Sequence, residues 1–506
     1  MKKQKQKAIV LTGSPLTIES CSKIASGNPV LLGKSTKRKV ERSRALVEKK
    51  AQDSTPTYGV NTGFGFLAKK QIPQEQLVLL QSNLVKSHAA GWGTPLDDRE
   101  VRLGMALRLN TLLRGHSGAR LELCQQIEKY LSHGIYPIVP EYGSVGASGD
   151  LIPLSHLCLP LIGEGEVVYR GQRMRTETAL KKARLSPIKL QAKEGLSFVN
   201  GTEMMLAVGA LAVYEAHDLA RSAVRIAALS FEALGGNPTA FRKEIHELRN
   251  QKGQQLVAAL LRSELRRSEV HRASGRSERV QDPYSLRCIP QILGPTFDSL
   301  EYVSTIVERE LGAVTDNPIV LPEREEIVSG GNFHGQALAL VFDFAAIAVA
   351  ELANVAERRM DMMFSPVSSG LNAFLAHNPG LESGYMTLQY LAGALVNENK
   401  VLSHPASTDS IPGNVGIEDH VSMGMTAAKK LKRIVKNTRC VLACEWLAAA
   451  QATDLRRRSR LGNGTALTHR ILRRNVPTLR FDRILQPEIA RVARLLEQGE
   501  LHPARS

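Results

Sequence analysis

The sequence predicts a mainly α-helical protein, with motif-bearing loops along residues 1–204 and a long helical bundle along 205–506. Two observations predict it. Apolar residues after about 205 recur at three- and four-residue spacing, as in Leu338, Val341, Phe344, Ala345, Ala348, Leu352 and Val355, and again in Leu431, Ile434, Val435 and Leu442. Gly and Pro, which would punctuate a strand-rich chain throughout, concentrate in a few long loops instead. No internal repeat or low-complexity linker divides the chain, so a boundary between 204 and 205 rests on the change of pattern alone.

Taken in order, the N-terminus has a basic start, but its apolar run, Ala8 to Leu11, is too short for the core of a signal peptide. The loop "YGVNTGFG" (58–65) comes next. The loop "EYGSVGASGD" (141–150) then precedes the apolar run Leu151 to Leu161. The helical half carries two more loops, "SGGNFHG" (329–335) and "SIPGNVGIED" (410–419). Its most apolar window, Ala337 to Ala356, is broken by Asp343 and Glu351, which reads as a buried helix and not a membrane span. Long loops with Tyr, Asn, His or Glu, held on a rigid scaffold, are where sites concentrate.

The composition is globular: 43% hydrophobic and 23% charged over 506 residues. The balance of 66 Lys+Arg against 49 Asp+Glu gives +17, with basic runs at 34–44, 265–279 and 454–461. Those runs are scattered, aromatics make up 5%, and no RNA-binding or zinc-finger signature interleaves with them, so a solvated basic surface is expected and no nucleic-acid partner. Six cysteines, at 21, 124, 158, 288, 440 and 444, form no CxxC pair, metal set or disulfide framework, as suits a reducing cytoplasm. Phosphate-loop patterns fail: Gly27 and Gly33 are separated by five residues where four are needed.

The triplet Ala147-Ser148-Gly149 has almost no side chain to pack. A peptide nitrogen attacks a carbonyl two residues back only where both can approach, and glycine hinders that approach least. Attack of the Gly149 nitrogen on the Ala147 carbonyl carbon closes a five-membered ring. Loss of two waters, one carrying the Ser148 hydroxyl, leaves an exocyclic methylidene, an electrophile that no ordinary side chain supplies. An isolated "ASGD" is more often a turn or a helix N-cap, a role Asp150 would suit.

The context is more specific. The run "GSVGASGDLIPLSHLCLPLIGEGEV" (143–167) resembles the signature of the aromatic amino acid ammonia-lyases, the histidine, phenylalanine and tyrosine enzymes. The resemblance continues in order through "YGVNTGFG", "GLSFVNGTE" (195–203), "VQDPYSLRCIPQILG" (280–294), "TDNPIV" (315–320), "SGGNFHG", "ENKVLSHPASTDSIP" (398–412) and "LGNGTA" (461–466). It implies that Ala147, Ser148 and Gly149 form 4-methylideneimidazole-5-one (MIO), with no external cofactor and no metal. It implies an N-terminal MIO-bearing domain, a helical bundle, and a homotetramer whose sites mix residues from neighbouring copies.

By the same resemblance Tyr58 is the catalytic base, and Arg287 clamps the substrate carboxylate with its planar fork. Asn200, Gln281 and Tyr284 hold the ring and the substrate, Tyr284 with a catalytic part, and Phe333 lines the site. Asn317 reads as a turn former. His88 and Glu398 stand as in the histidine branch, Glu398 to bond an imidazole N–H, and "EDHVSMG" (418–424) also resembles that branch. L-Histidine is therefore the expected substrate, with trans-urocanate and ammonia as products. A tyrosine or phenylalanine lyase, an MIO-dependent 2,3-aminomutase and a non-catalytic basic helical binding protein are the alternatives. Three features depart from the histidine pattern: Trp92 after "HAAG", the stretch "SIPGNVGIEDH", and "NFHGQAL", which is closer to the aromatic lyases. They bear on the fine specificity of the pocket.

Overall fold

The computed structural model describes residues 7–269, 280–456 and 460–502. The chain divides into two compact units, and neither is a single continuous segment. The first holds the described residues up to Leu211, together with Ser304–Phe342 and Pro405–Lys429. The second holds Ala212–Val303, Asp343–His404 and the described residues from Lys430. The first segment thus ends close to the expected 204/205 division. Two later stretches, including both Gly-rich loops of the helical half, return to the first unit.

The first unit is organised around helix Asp98–Leu112, buried on nearly every face. Its start is fixed by a capping box, in which the Asp97 N–H donates to Glu100 Oε2 at 3.0 Å. Among its described residues the unit also holds four small sheets: Ile9–Leu11 runs parallel to Val30–Leu32, Trp92–Pro95 pairs with Pro140–Tyr142, Glu166–Tyr169 lies between Ile135–Pro137 and Gln172–Arg175, and Ile319–Leu321 pairs with Glu326–Val328. From the buried helix, Arg108 Nη1 donates to the Asn200 carbonyl at 2.8 Å and to Glu203 Oε2 at 2.9 Å. The Glu203 Oε1 accepts from Thr111 and Thr315. A charge this deep persists only when paired and hydrogen-bonded, so Arg108 and Glu203 hold the 200–203 segment at a fixed place.

Among the described residues four helices exceed twenty residues: Glu203–Ala233, Ile289–Glu310, Gln336–Phe364 and Gly424–Arg456. The second unit is packed from helices, with Trp446 fully buried and its indole N–H donating to the Thr468 carbonyl. Arg359 and Glu445 form a buried bidentate pair at 2.6 and 2.9 Å, and Ser230 donates to the same carboxylate.

The apolar spacing read from the sequence is realised in Leu338, Val341, Ala345, Leu352 and Val355, and in Leu431, Ile434, Val435 and Leu442, all buried. Ala348 is half-buried and Phe344 is exposed, and with Leu340 and Ile347 Phe344 forms an exposed apolar row on helix Gln336–Phe364. By length and composition that helix could cross a membrane, but most of its apolar window is buried inside the protein. Asp343, the charge that interrupts the window, is buried and bound by the Lys430 ammonium at 2.6 Å. Residues 270–279 of the 265–279 basic run and residues 457–459 of the 454–461 run lie outside the described residues.

Candidate active site

The first unit contains a cavity of about 710 Å3, within the usual range for small-molecule sites. Tyr58, His88, the Ala147-Ser148-Gly149 triplet, Asn200 and Glu418 all line it. The triplet sits in a tight turn in which the Gly149 N–H donates to the Gly146 carbonyl at 3.2 Å. Ser148 and Gly149 have φ of 47° and 76°, a region that favours glycine. A Cβ on Gly149 would lie 2.1 Å from the Gly201 carbonyl oxygen. The main chain is therefore tightly bent and crowded at the triplet, and no larger residue fits at Gly149.

The turn is braced from behind. The Asp150 N–H donates to the Gly201 carbonyl at 2.7 Å, and its carboxylate accepts from the Met205 N–H at 2.7 Å and from Ser144 Oγ at 3.1 Å. Asp150 opens helix Leu151–Cys158 without capping it through its side chain, because that side chain is spent on helix Glu203–Ala233. Burial raises its carboxyl to about 7, against the two donors from Met205 and Ser144. Asn200 closes one wall, and its buried side-chain oxygen has no hydrogen-bond partner. An orphaned acceptor beside the triplet suits a donor on the ring or the substrate.

Tyr58 presents its hydroxyl oxygen to the Gly65 N–H at 3.2 Å. The turn that holds it needs Gly59, where φ is 73° and a Cβ would meet Leu196 at 2.5 Å. His88 ends helix Leu77–His88 and keeps Nδ1 at 2.9 Å from the Leu84 carbonyl. Because a carbonyl can only accept, Nδ1 carries a proton in that contact. Glu418 comes from the 410–419 loop, where Asn414 Nδ2 donates to its carboxylate at 3.3 Å. The cavity thus joins a phenol, an imidazole, a carboxylate and the Ala-Ser-Gly triplet.

A model of the aromatic amino acid lyase family matches residues 16–474. The chain belongs to the aromatic amino acid lyase family. It is 45% identical over 498 residues to a histidine ammonia-lyase of Treponema denticola, covering 98% of each chain. It is 46% identical to one of Stigmatella aurantiaca, covering 97% of this chain and 96% of the other. Among solved structures, it resembles a histidine ammonia-lyase from Trypanosoma cruzi with TM-score 0.91 and 39% identity, covering 98% and 94% of the two chains. It also resembles a tyrosine aminomutase from Streptomyces globisporus with TM-score 0.93 and 38% identity, covering 98% of both.

In this aromatic amino acid lyase the remaining sequence-derived residues lie elsewhere. Gln281, Tyr284 and Arg287 belong to the second unit and none lines the 710 Å3 cavity. There Arg287 donates through Nε to the Asp282 carbonyl at 2.8 Å, with its guanidinium 4.7 Å from the Tyr284 ring centre. Gln281 and Arg287 line a separate cavity of about 420 Å3, and Tyr284 is 68% exposed. The Phe333 side chain is not in the cavity wall, although its carbonyl lies 3.1 Å from where a Gly149 Cβ would be.

Glu398 requires a correction. On helix Met386–Leu402 its carboxylate accepts from Arg433 Nε at 3.1 Å, from Arg433 Nη2 at 3.3 Å and from Asn437 at 3.0 Å. Those donors hold it below the ordinary carboxylate range, Arg433 foremost. It is a paired surface carboxylate in the second unit, and the carboxylate in the cavity is Glu418. Sequence reasoning singled out the 410–419 loop and the likeness of "EDHVSMG" to the histidine branch, but gave Glu418 no role. An acidic residue inside a Gly-rich, site-bearing loop was the available signal.

Proposed function

We propose that the protein is a histidine ammonia-lyase, eliminating ammonia without oxidation from L-histidine to give trans-urocanate. The observation that carries this reading is the shared cavity of the triplet with Tyr58, His88 and Glu418. Ala147, Ser148 and Gly149 would cyclise and lose two waters to become MIO, which would supply the electrophile that makes the substrate's amine a better leaving group.

The chain's own residues then do the rest. Glu418 accepts the imidazole N–H of the substrate, and His88 lines the same cavity. A phenyl ring would leave the carboxylate unpaired, at a cost of about 1–3 kcal/mol. Tyr58, acting as the phenolate, takes the β-proton and becomes the phenol, and the Gly65 N–H at 3.2 Å donates to the oxygen that carries the charge before the transfer. Asn200 holds the ring or the nitrogen through its unpartnered oxygen.

The residues lining the cavity include no arginine to hold the substrate carboxylate. We infer a homotetramer in which a second copy supplies Arg287, Tyr284 and Gln281, with Phe333 shaping the wall. The exposed row of Leu340, Phe344 and Ile347 and the exposed Tyr390 and Val401 of helix Met386–Leu402 support such an assembly. A cytoplasmic role in histidine degradation follows from the same reading.

Intact mass and urocanate absorbance test it together. A mass short by two waters, localised to peptide 143–153, with urocanate formed from L-histidine, upholds the proposal. A modified protein that forms a β-amino acid or an aryl acrylate instead is an aminomutase or an aromatic lyase, a reading favoured by the tyrosine aminomutase likeness. An unmodified, folded protein is not a lyase.

A further inference from the structure

The first unit has a second cavity, of about 570 Å3, whose lining residues are none of those around the triplet. Its wall brings together Arg38, Lys39 and Arg42 from the start of helix Lys37–Ala51, Arg114 and His116 from the turn after helix Asp98–Leu112, and the 12–15 loop. Glu323 is the acid in that wall, and it is already paired with Arg42 at 2.7 Å. Among the described residues no ion pair or hydrogen bond engages the side chain of Arg38 or Lys39. Arg114 spends Nη1 on the Gly13 carbonyl at 2.8 Å and leaves a buried Nε without a partner.

The walls are built closely. Gly13 has φ of 77°, and a Cβ there would stand 3.0 Å from the Arg114 backbone. Gly115 has φ of 79°, and a Cβ there would stand 2.7 Å from the Lys39 carbonyl oxygen. His116 is fixed by its Nδ1, 2.9 Å from the Val320 carbonyl. Glycine at both positions lets the loop, the turn and the helix meet with their cations on one hollow.

The charge also runs against the helix. Lys37, Arg38 and Lys39 occupy the first turn of helix Lys37–Ala51, which carries no acidic residue there. The macrodipole makes that end positive, so cations in the first turn destabilise the helix and an anion would relieve it. Lys37 is partly answered by Glu41 at 3.7 Å; Arg38 and Lys39 are not.

We propose that this cavity is a binding site for a small phosphate-bearing dianion or polyanion, held by Arg38, Lys39 and Arg114. Guanidinium forks match phosphate oxygens in pairs, and an ammonium adds a point charge. The source of the phosphate is either a nucleotide or an inorganic phosphate chain, since both present the same oxygens.

Titration calorimetry of the purified, assembled protein in 150 mM NaCl tests this, with inorganic pyrophosphate, ADP and sulfate as probes. Pyrophosphate or ADP is expected to bind once per chain, and the R38A/K39A protein to bind at least about tenfold more weakly. That variant touches nothing at the triplet and keeps its lyase activity. Its apo melting temperature is expected to rise, because like charges leave a helix N-terminus. Tighter ADP binding assigns the site to a nucleotide, and tighter pyrophosphate binding assigns it to an inorganic chain. Equal binding by wild type and variant, equal heats with sulfate, or no binding overturns the proposal.

Discussion

Asn414 bridges the two loops that carry the polar groups of the cavity. Its Nδ2 donates to Glu418 Oε1 at 3.3 Å, and its Oδ1 accepts the Phe66 N–H at 3.3 Å, one residue beyond the glycine that donates to Tyr58. A Cβ on Gly65 would lie 2.0 Å from Asn414 Nδ2, so the two loops meet directly. Asn414 and Val415 both have positive φ, at 49° and 55°, which for a β-branched residue stores strain of about 1–3 kcal/mol. That strain and the two bonds set where Glu418 stands.

Asn414→Ala is therefore expected to act through position. Losing two part-exposed hydrogen bonds of about 0.5–1.5 kcal/mol each should raise KM for L-histidine by roughly 3- to 10-fold, with a smaller loss in kcat. Steady-state urocanate kinetics check this. An unchanged KM would mean that the backbone alone positions Glu418.

The two glutamates separate cleanly. Glu418→Gln keeps the shape but removes the charge that accepts an imidazole N–H, and kcat/KM for L-histidine should fall by about 10- to 100-fold, a loss of about 1.4–2.7 kcal/mol. Glu398→Gln removes one partly exposed ion pair with Arg433, worth about 0–1 kcal/mol, and should leave kcat/KM within about twofold. The reverse order of effects would restore Glu398 to the site.

How much of this was legible follows from what periodicity can carry. The helices of the second half were readable because Leu431, Ile434, Val435 and Leu442 repeat at helical spacing and are buried against their own chain. Phe344 belongs to the same pattern and is exposed, because a sequence repeat does not distinguish a buried face from an exposed one. Tyr58, His88, Asn200 and the triplet were readable as motifs, and the fold gathers them in one cavity. Glu398 and Glu418 are both acids in motif-rich segments. Only the three-dimensional pairing of Glu398 with Arg433 and Asn437, 35 and 39 positions away, separates them.

Asp150 gives a pH dependence of known sign. Burial raises its carboxyl from 3.8 to about 7, so the folded protein holds a proton that the unfolded chain releases. Its contribution is fully present below about pH 4 and is lost as pH rises toward 7. Asp150→Asn should flatten the stability profile in that window, measured as urea midpoint against pH. A profile identical to wild type would show that Asp150 titrates alike in both states.

The last prediction concerns the triplet. In Gly149→Ala the new Cβ would lie 2.1 Å from the Gly201 carbonyl oxygen and 2.6 Å from its carbon, with φ at 76°. The left-handed backbone costs an alanine about 1–2 kcal/mol, and the contact forces the turn away from Gly201. The turn that brings the 149 nitrogen toward the 147 carbonyl opens, so the protein should fold with its helices intact and retain both waters. Intact mass is then the wild-type mass before cyclisation plus one methylene, circular dichroism is unchanged, and no urocanate forms. A protein that still loses two waters would show that the Gly149–Gly201 approach is not what compresses the triplet.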